Sequence, residues 1–327
     1  MNELPYVDII IPVSNGACFI DDCVDSLNKQ TYHNYKAYFV VDSESTDNTL
    51  EKIEKISEEL SWVNIITRDE KTTVSEARNI GIKKTQNELI WFLDVDDYVY
   101  PTFLEEMVHL IIDNDAEMVF CNFYQERKRI IPSVSEKKYQ VNIYDDYSAI
   151  GSFDKLPMYP WAHIQRRELF KNGLIFYNDV PSSEDFDQLI RELSLAKRVC
   201  YYNKPLYVYY KRKNSLTMIN RQKDALAIEQ IARAALPFVK DNNPSNYDKF
   251  ELLLLNRLMR QMAFVKYREY RKIYKITIAH EIIDRLTRKN REVFVFSKSK
   301  LLYYTVLFPF THWLWDNEYG LWDKCKE

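Results

Sequence analysis

Leu89-Ile90-Trp91-Phe92-Leu93-Asp94-Val95-Asp96-Asp97 is a short apolar run that ends abruptly in three carboxylates. Because it is apolar and bounded by polar residues, the run reads as a buried strand. The carboxylates then stand where that strand leaves its sheet. In open α/β sheets, ligands bind at this carboxyl end. Clustered carboxylates repel one another unless something positive sits among them. The natural guest is a hard divalent cation that keeps positions open for phosphate oxygens. The stretch therefore predicts an α/β sheet that presents a site for a metal–diphosphate.

Working outward, the first half of the chain alternates strand and helix. Val7–Val13, Ala37–Asp42, Val63–Thr67, Leu89–Asp94 and Met118–Phe123 read as strands. Phe19–Lys29, Asp47–Leu60, Val74–Lys84 and Tyr100–Asp113 carry helical spacing, with Asp47 or Ser45 as a cap for the second. This alternation implies a mostly parallel sheet covered on both faces. Residues 124–160 read as a polar hairpin or loop excursion, Trp161–Phe170 as helical, Ser183–Ala196 as a helix with an acidic first turn, and Val199–Lys211 as an aromatic strand. From about residue 222 the pattern changes to long helices, with Leu252, Leu255, Leu258, Met259 and Met262 on one stripe. The expected division is a catalytic domain over 1–218 and a helical region over 219–327.

Composition narrows the function. The chain has 327 residues, 46% of them hydrophobic and 28% charged, as expected of an ordinary globular protein. Its five glycines (Gly16, Gly81, Gly151, Gly173, Gly320) form neither a G-x-G-x-x-G fingerprint nor a G-x-x-x-x-G-K-[ST] loop. A Rossmann dehydrogenase and a P-loop NTPase are thus disfavoured. Five irregularly spaced cysteines suggest neither a disulfide framework nor a metal site, and fit cytoplasmic thiols. Neither a secretory signal nor a transmembrane helix is expected.

Three loops leave strand ends in the N-terminal half: Pro12-Val13-Ser14-Asn15, Asp42-Ser43-Glu44-Ser45-Thr46-Asp47 and Asp94-Val95-Asp96-Asp97. If the strands are parallel, all three open on one edge, and a nucleotide lying there would meet Asp42, Ser43 and the acidic cluster together. On these residues the chain resembles the family 2 glycosyltransferases of the GT-A fold. Ile9–Asn15, Ser26–Tyr32, Val41–Asp47, Ser75-Glu76-Ala77-Arg78-Asn79-Ile80-Gly81 and Asp94–Asp97 follow in that family's order. Ser183-Glu184-Asp185 resembles its acidic catalytic motif. Tyr210-Lys211-Arg212 with Asn214–Thr217 resembles the basic loop that closes over the diphosphate. The match covers about residues 5–218.

The resemblance implies a nucleotide-diphosphate sugar donor, most often a UDP-sugar, and a saccharide or lipid-linked saccharide acceptor in bacterial surface glycan synthesis. It implies that Asp96 ligates Mn²⁺ or Mg²⁺ and that Asp94, with Val95 beside it, contacts the ribose or a metal-bound water. Pro12, Ser14, Asn15, Asp42 and Ser43 would face base and ribose, and Arg78 and Asn79 would help to hold the nucleotide. Asp185 would be the general base, supported by Glu184, and Lys211 and Arg212 would neutralise the diphosphate. The chain departs from the family pattern at Ser43, where a second aspartate is usual, at Ser14, where an aromatic is usual, and at His163, where lysine is frequent.

Plainer readings remain beside these. The Asp94–Asp97 carboxylates could cap the following helix, Glu184 and Asp185 could be ordinary first-turn acids, and Lys211-Arg212-Lys213 could be a solvated face. The competing functions are a nucleotidyltransferase, a glycoside hydrolase with paired carboxylates, and an inactive relative that binds glycans or serves in assembly. Residues 257–300 hold 13 basic and 4 acidic residues, followed by the aromatic segment Leu301–Trp315. That pattern suits a monotopic contact with an anionic membrane surface, on the inner face of the cytoplasmic membrane. It suits equally a helix packed on the catalytic domain or in a homodimer. No nucleic-acid recognition motif is present.

Overall fold

The computed structural model describes residues 4–68, 70–126, 138–149, 156–172, 174–176, 184–211, 221–251 and 253–254. The chain divides into two compact units, Met1–Asp179 with Glu184–Ser215, and Val180–Ser183 with Leu216–Glu327.

The first unit is built on a nine-stranded sheet. In chain order its elements are β1 (Val7–Val13), α1 (Ile20–Asn28), β2 (Tyr35–Val41), α2 (Thr49–Glu59), β3 (Val63–Thr67), α3 (Val74–Lys84), β4 (Leu89–Phe92), β5 (Tyr98–Val99), α4 (Phe103–Asp113), β6 (Met118–Glu126), β7 (Val141–Tyr144), β8 (His163–Arg166), α5 (Glu184–Leu195) and β9 (Val199–Tyr210). The spatial order is β3-β2-β1-β4-β8-β6-β9-β5, with β7 also on β9. β3, β2, β1 and β4 are mutually parallel. β8 runs antiparallel to both β4 and β6, and β6 is parallel to β9. The carboxyl ends of β1, β2, β4, β6 and β9 therefore share one edge, which carries the loops singled out above.

Alternation along the central strands divides the core between two faces. Ile9, Ile11, Leu89 and Trp91 join the larger cluster with α1, α2 and α4, whereas Ile10, Ile90 and Phe92 join the smaller one beneath α3. Trp91 and Phe103 meet with ring centroids 4.4 Å apart. Burying a side chain of this size contributes on the order of 2–3 kcal/mol, so the strand carrying the acidic loop is firmly seated. α3 begins at a capping box between Thr73 and Glu76. It crosses β1 closely at Gly81, where a methyl group would lie 2.4 Å from Ile10 Cγ2.

The segment expected to be helical over Trp161–Phe170 is instead strand β8, flanked by 3₁₀ turns at Pro160–Ala162 and Arg167–Asn172. β4 and β6 do not pair with each other, and β8 fills the gap between them. His163, Ile164 and Gln165 are all buried, so the strand shows no alternation that could separate it from a helix. Arg167 fixes its end to the opposite edge of the sheet, donating from Nη2 to the fully buried Asp8 at 2.7 Å. Gln165 Nε2 donates to Glu192 Oε1 at 2.9 Å, which ties α5 to β8. The helix expected from Tyr100 starts at Phe103, because Tyr98–Val99 pairs with β9 as β5.

Of the second unit, the structure describes α6 (Arg221–Asn242), which contains Pro237, and a short stretch after it. Ile231, Ala232, Ala235, Leu236 and Val239 form its buried stripe. The predicted stripe of Leu252, Leu255, Leu258, Met259 and Met262 and the basic and aromatic C-terminal segments lie outside the described residues. No helix among the described residues is long and apolar enough to cross a membrane.

Candidate active site

The acidic loop after β4 divides its carboxylates between different tasks. Asp97 is fully buried. It accepts from Tyr207 Oη and from the Tyr210 backbone N–H, each at 2.7 Å, and so ties the loop to β9. Burial, then the neighbouring Asp94 and Asp96, push its pKa well above the ordinary carboxylate range. Asp94, Val95 and Asp96 are partly exposed. Asp94 is pushed up to about 6, foremost by desolvation; Arg78 opposes the shift and Asp96 and Asp185 add to it.

Arg78 projects from α3 into this group and is 3% exposed. Its Nη1 donates to Asp185 Oδ1 at 2.6 Å and its Nη2 to Asp94 Oδ1 at 3.4 Å. One guanidinium therefore bridges the loop after β4 and the first turn of α5. The burial of Glu184, followed by the charge of Asp185, raises the Glu184 carboxyl against the opposing effect of Arg78. The acidic first turn of α5 also suits the positive end of its helix dipole. Asn79, next to Arg78, brackets Phe176: its Nδ2 donates to Phe176 O and its Oδ1 accepts from Phe176 N, both at 2.8 Å.

The two other loops knit together on the same edge. Ser14 Oγ donates to Asp42 Oδ2 at 3.0 Å, and Asp42 Oδ1 accepts from the Thr72 N–H at 3.2 Å. Asn15 sits at φ 50°, in the left-handed region that asparagine tolerates. Its Oδ1 accepts from the Thr46 N–H at 2.9 Å. Ser43 is exposed, and Pro12 is partly buried at the end of β1. Lys211 is held through its backbone N–H, which donates to Glu126 O at 2.7 Å. Arg212 lies outside the described residues. The edge thus gathers Pro12, Ser14, Asn15, Asp42 and Ser43 in one group and Arg78, Asp94, Glu184 and Asp185 in another.

Sequence reasoning missed Tyr207, Phe176 and Thr72, each of which holds a site residue from a distant segment. Only the aromatic alternation of β9 hinted at Tyr207, whose ring stacks on Trp161 with centroids 4.2 Å apart. His163 is buried with its Nδ1 3.2 Å from Tyr159 O and its Nε2 3.2 Å from Glu192 Oε2.

Among the described residues, no group of three or more His, Cys, Asp or Glu side chains is arranged to enclose a metal. A cation that takes one or two carboxylates and completes its shell with phosphate and water needs no such cage. Asp94 and Asp96, partly exposed and mutually repelling, fit that kind of ion.

A family model for glycosyl transferase family 2 matches residues 8–173. The chain belongs to that family. It is 29% identical over 222 residues to the uncharacterized glycosyltransferase EpsJ of Bacillus subtilis, a match covering 66% of this chain and 64% of that relative. It is 24% identical over 229 residues to the glycosyltransferase GlyG of Streptococcus pneumoniae, covering 66% of this chain and 73% of GlyG. Among solved structures, S. aureus TarS in complex with UDP-GlcNAc superposes with a TM-score of 0.60 at 17% identity, over 85% of this chain and 88% of that one. The mannosyltransferase PcManGT from Pyrobaculum calidifontis, solved with GDP-Man and Mn²⁺, superposes with a TM-score of 0.54 at 15% identity, over 97% and 89% of the two chains. These likenesses establish the GT-A fold.

Proposed function

We propose that this protein is an inverting, metal-dependent glycosyltransferase. It would move a hexose or N-acetylhexosamine from a nucleotide-diphosphate sugar, UDP-linked, to a hydroxyl of a glycan or lipid-linked saccharide in surface polysaccharide synthesis. The observation that carries this reading is the Arg78 bridge. It holds Asp94, in the loop after β4, and Asp185, in the first turn of α5, one guanidinium apart at the carboxyl edge of a mostly parallel sheet; this supports a reading in which the first serves the donor and the second the acceptor.

In this reading Asp42 and Ser43 face the base and ribose, with Pro12, Ser14 and Asn15 shaping the same rim. Asp96 holds Mn²⁺ or Mg²⁺, with Asp94 and Val95 beside it. When bound, the ion neutralises the diphosphate as a Lewis acid. Asp185 accepts the proton of the acceptor hydroxyl as that oxygen attacks the anomeric carbon. The bond from that carbon to the diphosphate oxygen breaks, and the nucleoside diphosphate leaves with the electron pair. Attack opposite the leaving group inverts the anomeric centre. Glu184 supports the acceptor or the base, and Lys211 and Arg212 offset charge on the leaving diphosphate. The basic C-terminal segment would hold the protein at an anionic membrane surface, on the cytoplasmic side where a lipid-linked acceptor is presented.

The test is nucleotide release from a panel of UDP-, GDP- and dTDP-sugars with Mn²⁺, with EDTA and with Asp96→Ala, alongside nucleotide binding by calorimetry. Metal-dependent release or binding for one donor, lost in the variant, supports the reading. Absence of binding to every nucleotide overturns it and favours the inactive glycan-binding relative.

A further inference from the structure

Arg78 is a site residue whose surroundings do not resemble a nucleotide contact. At 3% exposure, its terminal nitrogens are turned to Asp185 and Asp94, and the bond to Asp185 is shorter by 0.8 Å. The guanidinium carbon lies 5.2 Å from the centre of the Phe176 ring and 6.0 Å from that of Phe92. Its third nitrogen, Nε, is buried without a hydrogen-bond partner. Aromatic faces at these distances attract a cation without asking for its hydrogens.

The neighbouring residue completes the arrangement. Asn79 uses both ends of its amide on the backbone of Phe176, as donor to its carbonyl and acceptor from its N–H. The helix that carries both residues is itself fixed at two points, by the Thr73–Glu76 capping box and by the Gly81 crossing of β1. The chain therefore runs from a rigid helix through a clamped cation to the first turn of α5.

We propose that Arg78, Asn79 and Phe176 form a bracket that positions Asp185 for proton abstraction, with Arg78 acting through Asp185 and not as a holder of the nucleotide. The inference rests on the transferase reading above, because Asp185 is a base only there. Its physical content is orientation. A carboxylate at the mouth of a helix has free torsions, and a cation packed against two rings whose centres lie 5.1 Å apart selects one arrangement of it. Among the described residues, Arg78 from α3, Asp94 from the loop after β4 and Glu184 beside it on α5 face Asp185. Removing Arg78 leaves the two carboxylates of that set and takes away the group that orients Asp185.

The experiment compares wild type with Arg78→Met, Arg78→Lys and Asn79→Ala, using UDP-N-acetylglucosamine first and otherwise the donor that the panel selects. UDP affinity is read by calorimetry, and turnover is read as UDP release. For Arg78→Met the bracket predicts UDP affinity within about threefold of wild type and a loss of kcat of about 100-fold or more. KM for the donor should stay within about threefold. Arg78→Lys should restore part of the lost kcat. Asn79→Ala should lower kcat about tenfold at unchanged KM, through misplacement of a group it does not touch. If Arg78→Met fails to fold, Arg78→Lys and Asn79→Ala carry the same split. UDP affinity lost more than tenfold with kcat retained at saturation overturns the bracket and makes Arg78 a nucleotide ligand, while the transferase reading stands. An unchanged kcat overturns it as well. A wild-type protein that neither binds nor releases any nucleotide overturns the transferase reading, and the bracket falls with it.

Discussion

Asp96 and Asp97 are adjacent in sequence, yet the structure predicts opposite consequences for their loss. Replacing Asp97 by alanine removes the acceptor of the buried Tyr207 hydroxyl and of the Tyr210 N–H, both 2.7 Å away. An unsatisfied buried donor costs about 1–3 kcal/mol. Two such losses are partly offset because a buried carboxyl repelled by Asp94 and Asp96 is removed as well. The expected net loss for Asp97→Ala is about 3 kcal/mol, a fall in the urea midpoint on the order of 1 M. Asp97→Asn keeps an acceptor oxygen and should cost about 1 kcal/mol. Asp96→Ala, at a partly exposed position, removes a like charge from the cluster and should change stability by less than about 1 kcal/mol. It should nevertheless abolish Mn²⁺-dependent nucleotide binding. The assay is urea unfolding of the three variants, paired with calorimetry of UDP with and without Mn²⁺. If Asp97→Ala unfolds with wild type, or Asp96→Ala is the destabilised protein, the division of labour drawn here is refuted.

Two further outcomes follow from packing. Gly81→Ala would place a methyl group 2.4 Å from Cγ2 of the fully buried Ile10. Overpacking of about 1–3 kcal/mol should outweigh the ~1 kcal/mol that alanine gains over glycine in a helix. Thermal unfolding should show a lower Tm, and a variant as stable as wild type would contradict the close crossing. Iodoacetamide on the native protein should label the exposed Cys18 while leaving Cys23, Cys121 and Cys200 intact. Burial raises the last three thiols, Cys200 to about 11, so thiolate is scarce as well as inaccessible. Peptide mapping that finds native Cys23 or Cys121 alkylated would refute this.

Much of the architecture was legible because parallel strands and their crossover helices each satisfy a local rule. Val74–Lys84 has the same bounds in the sequence reading and in the structure, since polar residues and a cap delimit an amphipathic turn pattern. β8 was not legible. Its partners lie about 75 residues upstream in β4 and about 45 upstream in β6, and burial on both faces erased its period. What made it a strand is the gap it fills.

The site shows the same limit in its chemistry. Sequence reading gathers carboxylates at strand ends and assigns them to ligand as a group, because residue type and order are local properties. Whether a given carboxylate faces ligand or protein depends on partners far along the chain. Asp97 is taken up by a tyrosine 110 residues later, and Arg78 by an aspartate 107 residues later. Neither pairing leaves a periodic trace, and each departs from what the motif alone suggests: one member of an acidic cluster is taken up by the scaffold, and a basic residue on α3 turns to a carboxylate in the first turn of α5. Order of motifs is therefore strong evidence for family and weak evidence for roles. Within such a family, the residues worth mutating first are those whose charge is answered inside the protein, because there the scaffold and ligand readings predict different numbers.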